Sequence, residues 1–218
     1  MMLITLPLLV SCNENENTDF IYELKSFGTQ IGLDTPIEGY EISSYLGTEE
    51  NVEIPSFIGN IEVISVASNA FRDNENVLSV IIPDTVKLIS TDSFRNAINL
   101  ENIFVDENNT HYFDFEGSVY SKYDPDKIIL VTVPEGKTGN FNLYNKTFEI
   151  LGSSFQSCIK LRSITITNLE DVWIISPLSY SILLQLDAIY VPENKLDYYK
   201  DLISFHNSYL EDLIVISE

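Results

Sequence analysis

The residues able to attack a bond are few. Cys158 is one of two cysteines, and His111 and His206 are the only histidines. A cysteine beside a histidine makes a nucleophile and its base. Cys158, however, sits just ahead of Leu161 inside an apolar repeat, where a free cysteine packs as a small hydrophobe. Its setting assigns it a structural role. No G-x-S-x-G elbow, H-E-x-x-H pair or glycine-rich phosphate loop occurs. Glycoside hydrolysis needs two carboxyls at a set separation across a cleft, and no pair stands out among the 33 Asp and Glu residues. Asp106-Glu107-Asn108-Asn109 and Asp124-Pro125-Asp126 carry the oxygens that calcium takes, but not the spacing of a calcium loop. They read as turns on a solvated edge. The expectation is a chain with no enzyme activity, no metal and no cofactor.

The charge balance narrows the partners. Twelve Lys and Arg against 33 Asp and Glu leave a net charge of −21. Nucleic acid is excluded as a partner, because phosphate binding needs a cationic footprint. Direct docking on anionic lipid is disfavoured for the same reason, and basic partners are favoured. Two cysteines rule out a disulfide scaffold. With 44% hydrophobic residues the chain is rich enough in apolar side chains to fold.

The N-terminus reads as an address. Residues 1–11 are apolar and uncharged, too short to span a bilayer but of the length of a secretory h-region. Leu9-Val10-Ser11-Cys12 resembles a bacterial lipobox. That resemblance implies cleavage before Cys12, lipidation of Cys12, and membrane contact only through the acyl chains. More than one chain is needed, since a single one binds only marginally. Residues 12–19 then form an acidic linker, resembling the surface-export signals of some Gram-negative lipoproteins. No Lys or Arg precedes the apolar run, a departure from the usual signal.

A repeat fills the remainder. The pattern apolar-x-x-apolar-x-apolar occurs as Val77, Val80, Ile82; Leu100, Ile103, Val105; Ile128, Val131, Val133; Leu161, Ile164, Ile166; and Leu186, Ile189, Val191. Val52, Ile54, Pro55 is a partial copy. Pro83, Pro134 and Pro192 close three of them, where a missing N–H breaks no ladder bond. Small-Phe pairs recur as Ala70-Phe71, Ser93-Phe94 and Ser154-Phe155, each with an apolar residue five positions earlier. The last two apolar positions of each unit share one face of a strand. One such strand cannot bury its face alone, whereas stacked units build a continuous core. Val80, Ile103, Val131 and Ile164 are thus expected side by side.

These residues, with Gly39-Tyr40, Gly59 and Cys158, resemble the BspA-type leucine-rich repeats of bacterial surface proteins over about residues 40–192. The resemblance implies a strand-rich α/β fold: a right-handed leucine-rich-repeat solenoid with a hairpin insertion and a C-terminal helical cap. The insertion is expected at 111–134, where aromatics alternate around Gly117 and the turn Asp124-Pro125-Asp126. One repeat domain then covers residues 20–218. Residues 20–50 form its N-terminal cap, 51–192 the repeats, and 193–218 a closing helix and tail. The helix shows as a stripe of Leu196, Tyr199 and Ile203.

The outward columns of the repeats carry the functional expectation. Ile81, Phe104, Leu130, Thr132, Thr165 and Tyr190 are expected on one sheet face as a binding strip. Several are larger and more apolar than solvent requires, which is how protein-binding surfaces are built. The resemblance implies adhesion or protein–protein recognition at the bacterial cell envelope. That means a lipid-anchored protein, surface-exposed on the outer membrane, with a host-matrix or other cell-surface protein as partner. The alternative is a carbohydrate-binding lipoprotein of a glycan-uptake system, with the 12 tyrosines supplying stacking platforms.

Overall fold

The computed structural model describes residues 19–124, 127–168, 172–174, 185–204 and 212–216. The leader, Cys12 and most of the linker lie outside them, as do His206 and the Pro125-Asp126 turn. The chain opens with an antiparallel hairpin of β1 (Phe20–Phe27) and β2 (Ile37–Tyr45). Short strands follow: β3 (Asn51–Glu53), β4 (Phe57–Ile58), β5 (Ile61–Val66), β6 (Ser79–Ile82), β7 (Leu88–Ile89) and β8 (Asn102–Val105). A meander comes next, formed by β9 (Tyr112–Phe115), β10 (Ser118–Asp124) and β11 (Lys127–Thr132). Coiling resumes with β12 (Gly139–Asn142), β13 (Thr147–Ile150), β14 (Leu161–Thr165), β15 (Trp173–Ile174) and β16 (Ala188–Val191). A turn of 3-10 helix leads into α1 (Leu196–Ser204), and β17 (Ile214–Ile216) ends the described chain.

The strands stack as two parallel ladders, front and back. In front, β3, β6 and β8 align Val52, Val80 and Ile103, while β12, β14, β16 and β17 align Phe141, Ile164, Ile189 and Ile214. At the back, β2, β5 and β7 align Ile42, Val66 and Ile89, and β11, β13 and β15 align Leu130, Ile150 and Ile174. β-Branched residues dominate these short strands because they suit a pleated, half-buried surface. The aligned front residues Val52, Val80, Ile103, Phe141, Ile164, Ile189 and Ile214 are buried, and each fully buried Val, Leu or Ile contributes about 1.5–3 kcal/mol.

The small-Phe pairs form the turns between front and back. Phe71 N–H donates to Ser93 O, and Asn69 and Asp73 N–H donate to Asp92 O and Arg95 O, so one turn sits on the next. The rings of Tyr45, Phe71 and Phe94 stack in a column at 5.3 and 5.2 Å. Where the small residue is serine it carries its own bond: Ser93 Oγ donates to Ser90 O (2.7 Å), and Ser154 Oγ to Leu130 O (2.7 Å). Two residues after each Phe the chain turns left-handed, at Asp73, Asn96 and Ser157. Asn and Asp tolerate that conformation better than most side chains.

The meander interrupts both ladders. Its first hairpin closes through Glu116 and Gly117, both at positive φ, as the tight two-residue turn of twisted strands requires. Gly117 O accepts the Ile103 N–H at 2.8 Å, so the hairpin tip caps the front edge of β8. A Cβ on Gly117 would stand 2.3 Å from Asn102 Oδ1. At the back, Tyr112 Oη accepts the Ile89 N–H at 3.1 Å. The strands of the meander separate two cores. Val119 and Val131 pack into the N-terminal core, and their chain neighbours Tyr120 and Leu130 into the C-terminal one. Successive residues of a strand face opposite ways, so a sheet between two cores buries both faces.

This corrects one register. Val80 and Ile103 are aligned, but Val131 is not beside them. It belongs to β11, on the back ladder, and the place expected for it is taken by Phe141 in front of Ile164. The hairpin insertion, the closing helix and the terminal strand appear where the sequence puts them. β17 does more than close the end, because it pairs in parallel with β16 and lengthens the front ladder.

Candidate functional site

The outward side chains of the front ladder form two columns. In the first half Asn51, Ser79 and Asn102 stand in register, as do Glu53, Ile81 and Phe104. In the second half the columns are Asn140, Ser163, Ala188 and Asn142, Thr165, Tyr190, Val215. Ile81 is 40% exposed, Phe104 44% and Tyr190 38%. Thr165 is half-buried and donates through Oγ1 to Asn140 Oδ1 at 3.0 Å. Ile81, Phe104, Thr165 and Tyr190 therefore share the outward face, two on each side of the meander.

Leu130 and Thr132 do not. They are 0% and 5% exposed, on the back-ladder strand β11. Their assignment to the face fails because β11 is apolar on both sides, so its sequence Ile128-Ile129-Leu130-Val131 satisfies the repeat pattern in the wrong register. The residues occupying their places are Asn140 and Asn142. The signal for them was present: Phe141 and Leu143 are apolar and two apart, and both are buried.

A polar network bridges the two halves of the face. Asn142 Nδ2 donates to the Glu116 carboxylate at 3.0 and 3.3 Å, and Asn140 Nδ2 to Asn142 Oδ1 at 2.7 Å. Lys137 Nζ donates to Glu116 O and lies 3.4 Å from Asn102 Oδ1. Burial pulls the Lys137 ammonium down from its ordinary value, against the upward pull of Glu116, Glu101 and Asp114.

The residues with chemistry in principle are occupied structurally. Cys158 is fully buried, with Sγ 3.5 Å from Val133 O, and burial pushes its thiol far up, away from the reactive thiolate. His111 lies in a groove with Thr29, Lys87, Tyr112 and Ser121, and burial lowers its pKa ahead of the charges of Lys87 and Lys122. Asp106 Oδ1 accepts the Asn108 N–H at 2.8 Å, a turn contact. Asn109 is buried and fully used: Nδ2 donates to Pro83 O and Val86 O, and Oδ1 accepts from His111 and Tyr112 N–H. Of the tyrosines, Tyr112, Tyr120 and Tyr199 are buried in the core rather than offered to a sugar. No helix among the described residues is long and apolar enough to cross a membrane.

Comparison with known proteins follows the same outline. No curated protein matches the chain. A leucine rich cell surface protein from Faecalibacterium prausnitzii A2-165 is 19% identical over 66% of this chain and 48% of its own, with a TM-score of 0.45. The pneumococcal vaccine antigen PcpA is 20% identical over 66% of this chain and 40% of its own, with a TM-score of 0.50. A T. pallidum leucine rich repeat protein is 18% identical over 82% and 71%, with a TM-score of 0.42. The chain thus spans less than half the length of the first two. The likeness to PcpA is one of fold. The model of the BspA type leucine rich repeat region matches six copies, over residues 40–121 and 136–218. The unmatched stretch between them runs through β11, where the two cores part. With the repeat units matched on both sides of that break, the chain belongs to the BspA-type leucine-rich repeat family.

Proposed function

We propose that the protein is a non-catalytic recognition module of the bacterial cell surface. It binds a protein partner through the outward face of the front ladder, at Ile81, Phe104, Thr165 and Tyr190. The observation that carries this reading is the exposure of Ile81, Phe104 and Tyr190 in the outward columns of a parallel ladder whose inward partners Val80, Ile103 and Ile189 are buried. Exposed apolar residues aligned in a column, with polar neighbours, suit a protein interface. The enclosed thiol of Cys158 and the structural use of Asn109 support a role without catalysis. The anchor in this reading is a lipidated Cys12 at the outer membrane, with residues 12–19 as spacer. A cell-surface role is in keeping with the F. prausnitzii relative, which is described as a cell surface protein.

The test compares the full chain with a Phe104→Glu/Tyr190→Glu variant of matched thermal stability in pull-downs from envelope and host-matrix extracts. A protein held by the wild type and released by the variant is expected. Identical capture by both would remove this face from the function. Labelling of Cys12 with a radioactive fatty acid, abolished by Cys12→Ala, checks the anchor.

A further inference from the structure

We propose that the first half of the face, on β3, β6 and β8, docks a lysine- or arginine-rich segment of the protein partner. This deepens the recognition reading above and rests on it. The argument is charge complementarity around an apolar centre. Ile81 and Phe104 stand side by side in the outward column, with Glu53 continuing that column. Just before and after these strands come Glu50, Asp84, Glu101, Asp106 and Glu107, all exposed like Glu53. The stretches 50–53, 78–84 and 101–107 hold no Lys or Arg. Two cations reach their edge, and both are engaged: the Lys137 ammonium is held by Glu116 O and Asn102 Oδ1, and that of Lys160 by Ile98 O at 2.8 Å and Asn99 Oδ1 at 3.4 Å.

The second half of the ladder supplies an internal control. Taken with the same flanks, its stretches 138–144, 160–167, 187–193 and 212–216 carry Lys160 and Arg162 against Asp187, Glu193 and Asp212, close to balance where the first half holds carboxylates alone. The acidity therefore follows one face segment rather than every turn of the coil. A lysine or arginine suits that segment twice over. Its aliphatic stem covers Ile81 and the ring of Phe104, and its charged end reaches the carboxylates at the rim. A cation over the Phe104 ring gains further from the negative face of the π system. An acidic or neutral apolar segment would meet the same column surrounded by unmatched carboxylates, which disfavours it.

The probe is a fluorescently labelled decalysine, with labelled decaglutamate as control, titrated by anisotropy against the full chain in about 0.15 M salt, where long-range attraction is screened. Decalysine is expected to bind and decaglutamate not. Glu53→Gln/Glu101→Gln should raise the Kd about 5-fold, two exposed charge pairs' worth, while the charge-matched Asp34→Asn/Glu38→Gln should change it by less than about 2-fold. Phe104→Ser, which leaves the charge untouched, should weaken binding about 3-fold or more. Equal effects of the two charge-matched pairs, no effect of Phe104→Ser, or no decalysine binding would each overturn the proposal. The two readings fail separately. If decalysine does not distinguish the variants but Phe104→Glu/Tyr190→Glu still loses its partner, the face recognises something other than a basic segment. If decalysine distinguishes them and that variant keeps every partner, the recognition reading is the one that falls.

Discussion

On β6, Ser79 Oγ donates to Asn51 Oδ1 at 2.7 Å; on β14, Ser163 Oγ donates to Asn140 Oδ1 at 2.8 Å. The two halves of the front ladder thus start with the same outward pair, each backed by inward apolar residues: Val52 and Val80 in the first half, Phe141 and Ile164 in the second. They then diverge. The first half continues outward with Glu53, Ile81 and Phe104 under an acidic rim, and the second with Asn142, Thr165 and Tyr190, the first two hydrogen-bonded to the Asn140 amide, with charge close to balance. Inward positions must fit the turn above and below, so their residue types vary little. Outward positions meet only solvent or a partner, so each half is free to carry its own chemistry.

The largest expected effect tests that division of inward from outward. Leu130→Glu places a carboxylate in the C-terminal core and should cost more than about 4 kcal/mol, enough to unfold the chain. Phe104→Glu on the open face should cost about 1 kcal/mol or less in urea denaturation. A similar loss from both would break the distinction. Next come the turns. Phe94→Ala and Phe155→Ala occupy the same place in the two halves, both buried, and each should lose about 3–5 kcal/mol. A small loss from Phe155→Ala alone would show that the second half is not held by its Phe turn.

The break between the halves gives the following pair. Asn109→Ala leaves two carbonyls and two N–H groups of the first half without their partner and should cost about 2–3 kcal/mol in thermal melts, whereas exposed Asn108→Ala should be nearly silent. Glu135 is a buried carboxyl whose Oε1 accepts the Asn96 N–H at 2.9 Å while Oε2 has no hydrogen-bond partner among the described residues. Burial raises its pKa, opposed by that N–H and by Arg95, and assisted by Asp73. Its contribution to stability is therefore complete below the ordinary carboxylate range and lost as pH rises through its raised value. Subtracting the Glu135→Gln stability profile from that of the wild type should show a fall across that window. A flat difference would remove Glu135 from the pH dependence. The smallest effects are those of Ser79→Ala and Ser163→Ala, about 0.5 kcal/mol or less each on the solvated face and alike in both halves.

Much of this was legible in the residues. Val80 with Ile103, and Ile164 with Ile189, could be aligned because a stacked strand must present its apolar pair inward at every turn. The Phe turns were legible for the same reason, since a ring at a fixed offset between two apolar positions has one place to go. Ile81, Phe104, Thr165 and Tyr190 followed as the residues between. Leu130 and Thr132 were misassigned because the repeat pattern presumes one buried face per strand, and β11 has two. The left-handed residues Asp73, Asn96 and Ser157 had a signal too, each two positions after a Phe, but Asn and Asp are common enough in turns to pass unnoticed.

By itself, the sequence determined that the chain coils, which side chains its turns share, and that its overall charge repels nucleic acid. Those properties follow from local period and composition. Only the tertiary structure decided where the coil is interrupted, that Phe141 rather than Val131 meets Ile164, and that the acidic and neutral stretches become two segments of one face. The physical reason is that a strand buried on both sides shows no preferred face in its own residues. Its neighbours choose its ladder, β10 on one side and β13 on the other.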